Sequence, residues 1–298
     1  MLNDILNLEH SEYINYFSTK MEVRVKVIII GEKINGSIPS VGKAIAERDS
    51  EFIMDLARRQ AEAKSDYIDC CASVEESKEV ETLEWLINCI QEVTDLPICV
   101  DSPNPHACVE GMKFCKKPGI INSVSMEGNK IDVIFPKIAD TEWDCIALLC
   151  SDAGIPRTVE ERMEIFEQIM KRAKEYGIAP SRLYIDPLVV TLSTDQAALL
   201  NFVDCCRRIK EAYPDIHLTS GLSNISYGLP KRKHINKAFL VLSVEAGMDS
   251  AILDPTDPDM LGIIYATEAL LKKDPHCLKY IRAYRAGLLE KKKATAKA

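Results

Sequence analysis

The chain has 298 residues and a net charge of −8, with 47% hydrophobic and 28% charged residues. This composition is typical of a soluble globular protein, and the length suits one α/β barrel. The acidic balance argues against a nucleic-acid surface, which needs clustered Lys and Arg. No apolar run approaches the roughly 20 residues of a membrane span, and residues 1–20 do not resemble a secretory signal. We therefore expect a cytoplasmic protein that binds neither membrane nor nucleic acid.

Short apolar segments alternate along the chain with longer segments of helical periodicity. A helix is predicted over 49–65, with Asp49 or Ser50 as its N-cap. Another is predicted over 158–177, where Thr158 and Glu161 have capping-box spacing, and a third over 234–247 stops at a glycine. The predicted strands are 26–35, 67–72, 97–102, 119–124, 145–150, 183–188, 217–223 and 250–255.

Nearly continuous apolar strands separated by helices predict a parallel sheet that is covered on its outer face. Eight such units predict a closed barrel, so the expected fold class is α/β, a single-domain (β/α)8 TIM barrel over residues 26–290. Residues 1–25 form an N-terminal extension, in which LNDILNLEHSEYINYF is compatible with a short amphipathic helix on the barrel or at a subunit interface. Residues 291–298 are expected to be a flexible tail.

Polar side chains concentrate at the carboxyl ends of the predicted strands, where the active sites of such barrels lie. A single Asp or Asn there has an ordinary explanation because these residues cap helices and build turns, and we favour it for Asp254, before Pro255. Their recurrence at seven of the eight strand ends instead indicates a polar ligand held by several strands. The residues are Glu32, Asn35, Asp69, Asp101, Asn122, Asp186, Asn224 and Asp254, whereas the fifth strand ends in Cys150, Ser151 and Asp152.

Carboxylates and carboxamides dominate this end of the predicted barrel, and segment 223–228 is not a Gly-rich phosphate loop. Asp offers two acceptors, and Asn one donor and one acceptor, to the amidine-like edge of a pterin or guanine. No Ser-His-Asp or Cys-His set can be assembled from these strand ends. The pattern therefore favours transfer between two cofactors, or a cofactor and a substrate, over chemistry at a protein nucleophile.

A metal site is the weaker alternative. The eleven cysteines include no Cys-x-x-Cys pair, and most lie in apolar runs, so we expect reduced thiols that act as small hydrophobic residues. The adjacent Cys70 and Cys71 are the only hint of a thiolate zinc site. His106 is expected to have a surface or capping role, and His217 a structural one. No two of the five histidines are spaced as a pair of metal ligands. The histidines are His10, His106, His217, His234 and His276.

Seven motifs together resemble the pterin-binding methyltransferases: the methyltetrahydrofolate–corrinoid protein methyltransferases and, as a relative, the folate domain of cobalamin-dependent methionine synthase. The resemblance covers about residues 27–285. The motifs are GEKING (31–36), CVDS (99–102), INS (121–123), GIP (154–156), LYIDPL (183–188), GLSNIS (221–226) and INKAFL (235–240).

The resemblance implies a dihydropteroate-synthase-like barrel, typically a homodimer. Such an enzyme moves a methyl group between N5 of tetrahydrofolate and the cobalt of a corrinoid (cobalamin) carried by a partner protein. It implies that Asp101, Asn122 and Asp186 hold the pterin ring. Asn224 then hydrogen-bonds N5 as the methyl group leaves or arrives, with Asp101 anchoring the water network that supplies a proton. The other residues implied at the same mouth are Glu32, Asn35 and Asp69.

Two positions depart from the family's pattern: Cys71 stands where Asn is usual, and Tyr227 where Gln is common. With the N-terminal extension, they favour a demethylation system that forms methyltetrahydrofolate from a methylated amine, betaine or ether through the corrinoid protein.

Three alternatives stay open from the residues alone. A dihydropteroate synthase shares the fold and pocket, but its Gly-Gly-Glu-Ser element and its Gly-rich, Lys-containing motif after strand 6 are missing. The others are a non-enzymatic pterin-binding subunit and a zinc thiol methyltransferase.

Overall fold

A computed structural model describes residues 26–290. Residues 1–25 and 291–298, with the predicted N-terminal helix and tail, lie outside the described part. The strands are β1 (Ile28–Asn35), β2 (Tyr67–Cys71), β3 (Ile98–Asp101), β4 (Ile120–Met126), β5 (Asp144–Ser151), β6 (Leu183–Asp186), β7 (His217–Leu218) and β8 (Ser250–Leu253). The helices are α1 (Pro39–Glu47), α2 (Ser50–Glu62), α3 (Glu76–Gln91), α4 (Pro105–Phe114), α5 (Lys130–Ile138), α6 (Val159–Glu175), α7 (Ala198–Ala212), α8 (Arg232–Glu245), α9 (Pro258–Leu270) and α10 (Leu278–Arg285).

The eight strands form one parallel sheet in the order β7-β6-β5-β4-β3-β2-β1-β8. Two backbone hydrogen bonds close the gap between its edges: the amide of Asp249 donates to the carbonyl of Leu218 (3.2 Å), and that of Ile252 to Ser220 (2.9 Å). The predicted (β/α)8 barrel is therefore confirmed. Among the described residues, no helix is long and apolar enough to cross a membrane.

A buried apolar layer fills the middle of the barrel. Because successive strand residues point to opposite faces, the residue two positions further along each strand faces the same interior, nearer the carboxyl end. The sequence places a polar residue at that step in four strands: Ile30 precedes Glu32, Cys99 precedes Asp101, Ile120 precedes Asn122 and Tyr184 precedes Asp186. The barrel thus has an apolar floor and a polar mouth.

The predicted helix ends are confirmed where the sequence carried a capping signal. Asp49 accepts a hydrogen bond from the amide of Phe52 (3.1 Å) at the start of α2. Thr158 and Glu161 form the predicted capping box of α6. Gly247, just after α8, has a φ of 111°, which glycine adopts far more readily than other residues.

The prediction of a strand over 217–223 is wrong beyond its first residues. β7 covers only His217–Leu218, and a 3-10 helix occupies Leu222–Ser226. Leu222 and Ile225 are both buried, and a three-residue spacing brings side chains to one face in a helical turn but not in a strand. Asn224 therefore lies on a helical turn above the barrel rather than at the end of a strand.

Candidate active site

Three of the predicted site residues meet where β2, β3 and β4 end. Strand register pairs Asp101 with Asn122, and Asp69 lies one step deeper, opposite Cys99. The carboxamide of Asn122 donates to Asp69 Oδ1 over 3.4 Å. Asp69 is only 2% exposed. The structure thus brings together two carboxyl groups and one carboxamide, as the sequence predicted.

Burial controls the protonation of these carboxyl groups. It raises the pKa of Asp69 well above the ordinary value, and the negative charge of Asp101 raises it further. Burial also raises the pKa of Asp101 to about 6. Two adjacent buried carboxyl groups resist carrying two negative charges, so they bind protons more readily than exposed acids do. A ligand that donates hydrogen bonds favours their ionised forms.

Two thiols support the carboxyl groups. Cys99 hydrogen-bonds Asp69, and Cys71 hydrogen-bonds Asp101. Burial raises the pKa of both thiols, so they remain protonated and donate. Cys71 is therefore a donor to the site even though it replaces the Asn usual in the family. Across residues 26–290, no group of three or more His, Cys, Asp or Glu is placed to hold a metal ion.

Asp186 occupies the mouth from the opposite side, at the end of β6. Its Oδ1 accepts a hydrogen bond from the amide of Leu188 (2.8 Å), and the amide of Gly221 also donates to its carboxyl group. Burial raises the pKa of Asp186 to about 6, against the effect of these donors and of Arg162. Asp186 is therefore a fixed acceptor facing the interior.

Asn224 is exposed on the 3-10 helix at the rim. A Cβ added to Gly221 would lie 3.0 Å from Asn224 Nδ2, so the glycine leaves room for the carboxamide. Two side chains of α8 hold this turn: Ser226 Oγ donates to Asn236 Oδ1 (2.6 Å), and Arg232 Nη2 donates to the Ser223 carbonyl (2.7 Å). The motifs GLSNIS and INKAFL are thus parts of one rim structure.

Tyr227, the second departure from the family pattern, follows this turn. Its side chain is 70% exposed. The guanidinium of Arg232 lies 5.9 Å from its ring centroid, which permits a cation–π contact. Tyr227 therefore belongs to the open rim.

Glu32 lies on the β1 side of the mouth. Burial raises its pKa to about 7, and the charge of Asp254 adds to that effect. Asp254 itself forms a turn, since its Oδ1 accepts from the amide (2.9 Å) and hydroxyl (2.6 Å) of Thr256. The turn role predicted for Asp254 is confirmed, and its Oδ2 also pairs with Lys33 at 3.2 Å.

The side chain of Asn35 serves the loops around the mouth. Its Oδ1 accepts from the amide (2.9 Å) and hydroxyl (2.6 Å) of Ser37, and from Ser73 Oγ (3.3 Å). Gly36 beside it needs its small size, because an added Cβ would lie 2.1 Å from the carbonyl oxygen of Ala72. The GEKING motif therefore packs the β1 loop onto the end of β2.

Other strand-end and histidine positions have structural roles. Asp152 Oδ1 accepts from the amide of Gly128 (2.8 Å), which ties the loops after β4 and β5 together. His106 is exposed on the first turn of α4. His217 lies 3.2 Å from Asp249 at the opposite, N-terminal end of the barrel. The roles predicted for both histidines are confirmed.

Two buried charged residues near the mouth were not identified from the sequence. Glu79 of α3 accepts from Ser102 Oγ (2.7 Å), and its charge raises the pKa of Asp101. Arg162 of α6 favours the charged form of Asp186. Both lie on the apolar stripe of their helix: buried residues follow Glu79 three and four positions later, and Arg162 lies between Val159 and the buried pair Ile165 and Phe166. A charged residue on such a stripe is the signal that could have found them.

The comparisons with known proteins agree with this architecture. The family model described as "Pterin binding enzyme" matches residues 35–254, and the chain belongs to that family. A methylcorrinoid:tetrahydrofolate methyltransferase of Eubacterium limosum is 50% identical over 88% of this chain and 97% of its own length. Methionine synthase of Mycobacterium leprae is 29% identical over 80% of this chain, which corresponds to 21% of that larger protein.

Solved structures show the same fold at low sequence identity. Dihydropteroate synthase from Xanthomonas albilineans, in complex with 7,8-dihydropteroate, aligns with a TM-score of 0.60 at 19% identity, covering 84% of this chain and 94% of that one. Dihydropteroate synthase of Yersinia pestis aligns with a TM-score of 0.59 at 15% identity, with the same coverage. At this identity the likeness establishes the barrel and not the reaction.

Proposed function

We propose that the protein transfers the methyl group of a methylated corrinoid protein to N5 of tetrahydrofolate. The observation that carries the proposal is the 50% identity to the Eubacterium limosum enzyme over nearly the whole length of both chains. The polar mouth agrees with it, because carboxyl and carboxamide groups on several strands suit the donor and acceptor edge of a pterin.

In this proposal, Asp101, Asn122 and Asp186 hold the pterin ring. Asp186 already accepts one backbone amide at Oδ1 and has acceptor capacity left for the amidine edge. Asn122 supplies a donor and an acceptor, while Asp69 fixes its carboxamide through the 3.4 Å contact. Glu32 and Asn35 complete the mouth, Glu32 in the interior and Asn35 through the loops that it holds.

Asn224 is assigned to N5 because it lies on a turn whose backbone is fixed while its carboxamide is exposed. The nitrogen loses its proton when it gains a methyl group, and it needs a hydrogen bond or a proton when it releases one. Asn224 donates or accepts at N5. Asp101, with a pKa of about 6, anchors the water through which the proton moves.

The corrinoid supplies the methyl-carrying metal chemistry, so the chain needs to orient two substrates rather than provide a nucleophile. We place the partner's corrinoid above the mouth. The remaining proposals are a cytoplasmic homodimer, a catalytic barrel over 26–290 flanked by the extension and tail, and a role in demethylating a methylated amine, betaine or ether.

The test is methyl transfer with defined components. The protein is mixed anaerobically with methylcobalamin and tetrahydrofolate, and the cobalamin absorbance is followed while methyltetrahydrofolate is quantified. We expect loss of the methylcobalamin spectrum together with stoichiometric methyltetrahydrofolate. Absence of product with both free and protein-bound methylcorrinoid would contradict the proposal.

A further inference from the structure

A cavity of about 590 Å³ lies between the segments that follow β5 and β6. Its polar lining consists of Arg157, Arg162, Thr194, Asp195 and Asn201. Because the segments that follow the strands form the carboxyl end of the barrel, the cavity is on the same side of the molecule as the acidic mouth. The lining carries two positive charges and one negative charge, which is the opposite balance to that of the mouth.

Arg162 forms the deep end of this cavity. Its side chain is 1% exposed and lies on the apolar stripe of α6, between Val159 and Phe166. Within residues 26–290, its Nε and Nη1 have no hydrogen-bond partner, and the sulfur of Cys205, which the group contacts, is only a weak acceptor. Arginine stays protonated, and a buried charge without a partner is destabilising. A ligand with an anionic group would supply the acceptors that the guanidinium lacks.

The acidic groups around the cavity are engaged elsewhere. Asp195 Oδ1 accepts from the amide of Ala197 (2.8 Å), at the turn before α7. Glu161 Oε2 accepts from the amides of Arg157 (3.0 Å) and Thr158 (3.1 Å) in the capping box of α6. The side chain of Arg157 is exposed at the open end of the cavity and forms no ion pair with any residue that the structure describes. Both arginines of the lining are therefore available to an anion.

The rest of the lining is apolar and joins the cavity to the pterin site. It consists of Ile155, Pro156 and Val190. The first two belong to the GIP motif (154–156), to which the acidic mouth gives no role. Val190 follows Asp186 by four residues, so the chain between them spans at most about 14 Å. An apolar wall with a cationic end, close to Asp186, suits a ligand that has an aromatic part and an acidic part.

We propose that this cavity binds the aminobenzoyl-glutamate tail of tetrahydrofolate, with Arg157 and Arg162 as the partners of its two carboxylates. The inference rests on the proposed function, because the tail enters the cavity only if the pterin ring is held at Asp186. A guanidinium group matches a carboxylate with paired, charge-assisted hydrogen bonds. The apolar wall packs against the aminobenzoyl ring. The cavity thus makes the protein select the complete folate over the pterin ring alone.

The experiment compares the affinities for tetrahydrofolate and for tetrahydropterin, which lacks the tail, by calorimetric titration. The wild type should bind tetrahydrofolate more tightly, and this advantage should shrink as the salt concentration rises. Thr194→Glu places a negative charge at the exposed end of the cavity and should weaken tetrahydrofolate binding roughly tenfold. Arg157→Gln removes an exposed charge and should weaken it about threefold. Neither change should alter the affinity for tetrahydropterin.

Arg162→Met tests the buried guanidinium directly. The folded variant should bind tetrahydrofolate at least about tenfold more weakly and tetrahydropterin as the wild type does. Arg207→Gln is the matched control, because Arg207 is an exposed arginine of α7 that pairs with Glu245 (2.8 Å) and does not line the cavity. It should change neither affinity. If Arg162→Met does not fold, the exposed Thr194→Glu and Arg157→Gln variants decide the proposal.

Three results would count against these assignments. Equal losses of affinity for both ligands, or a Thr194→Glu protein that binds tetrahydrofolate as tightly as the wild type, would overturn the proposal. Slower methyl transfer from the methylated corrinoid protein, with unchanged tetrahydrofolate affinity, would assign the arginines to an acidic group of the partner and would also overturn it. A wild-type protein that binds neither ligand would instead contradict the proposed function itself.

Discussion

Two equally buried aspartates at opposite ends of the barrel behave differently. Asp249, at the N-terminal end, is 4% exposed, and Asp186, at the mouth, is 6% exposed. Burial raises the pKa of both, but contacts with His217 and Lys210 outweigh it at Asp249, whose pKa is lowered overall. At Asp186 the effect of burial prevails, and the pKa is raised to about 6. The pKa values of the two aspartates therefore differ because of the groups that contact each carboxyl group, and not because of how deeply each is buried.

Other acidic residues at the two ends of the barrel differ in their partners in the same way. At the N-terminal end, Glu268 accepts from the amide of Val27 (2.7 Å) and lies 3.5 Å from Lys279. At the mouth, the donors to Asp69 and Asp101 are thiols and a carboxamide. Carboxylates paired with cations stabilise the fold, whereas carboxyl groups with weak neutral donors remain available for a ligand. Stability and function are thus assigned to opposite ends of the barrel, as is usual for this architecture.

The largest effect on stability is expected from Asp249→Asn. The change removes a charge that binds Lys210 (2.9 Å) and His217 (3.2 Å), so the lysine keeps carbonyl partners but loses this carboxylate. We expect the free energy of unfolding to fall by about 3 kcal/mol, measured by urea denaturation at pH 7. Because the pKa of Asp249 is lowered in the fold, the wild type should lose this contribution as the pH falls below about 4. Tetrahydrofolate affinity of the folded variant should not change. A weaker affinity would contradict the assignment of stability to the N-terminal end and of ligand binding to the mouth.

Asp186→Asn should have the opposite profile. It replaces a charged acceptor at the mouth by a neutral group, so tetrahydrofolate affinity should fall roughly 100-fold, or about 2.7 kcal/mol. Stability should stay the same or rise. Calorimetric titration beside urea denaturation measures both quantities, and a variant that is destabilised yet binds normally would refute the assignment.

Asn224→Ala is expected to separate turnover from binding. The carboxamide is assigned to N5, where its hydrogen bond strengthens as the reaction proceeds. We therefore expect kcat to fall about 10- to 100-fold with little change in KM for tetrahydrofolate. Steady-state methyl transfer measures both constants. A rise in KM alone would mean that Asn224 only binds the pterin.

A smaller effect on stability is expected from Asp69→Asn. The pKa of Asp69 is raised in the fold, so ionisation of this group opposes folding, and its unfavourable contribution grows as the pH rises above the unfolded value of about 4. Asp69→Asn should therefore raise the free energy of unfolding by about 1 kcal/mol at pH 8 and have little effect at pH 4. Destabilisation of the variant at pH 8 would show that ionisation of Asp69 does not oppose folding.

Much of the fold was predictable because its signals are local. Alternating apolar strands, the Thr158–Glu161 capping box and the polar residues two positions after the apolar floor are all visible in the sequence. The end of β7 was not, because SGLSN reads as a strand until the burial of Leu222 and Ile225 reveals a helical turn. Contacts between distant segments were equally hidden. Cys71 looked like a lost contact until the register of β2 and β3 placed it beside Asp101.

Proton release on ligand binding tests the central claim that a pterin satisfies the carboxyl groups of the mouth. Tetrahydrofolate is titrated calorimetrically at pH 6 in two buffers of different ionisation enthalpy, and again at pH 8. Because Asp101 and Asp186 have pKa values of about 6, binding that requires their ionised forms should release more protons at pH 6 than at pH 8. Asp186→Asn should release fewer. Binding heats that do not depend on the buffer at pH 6, or no binding at all, would contradict the claim.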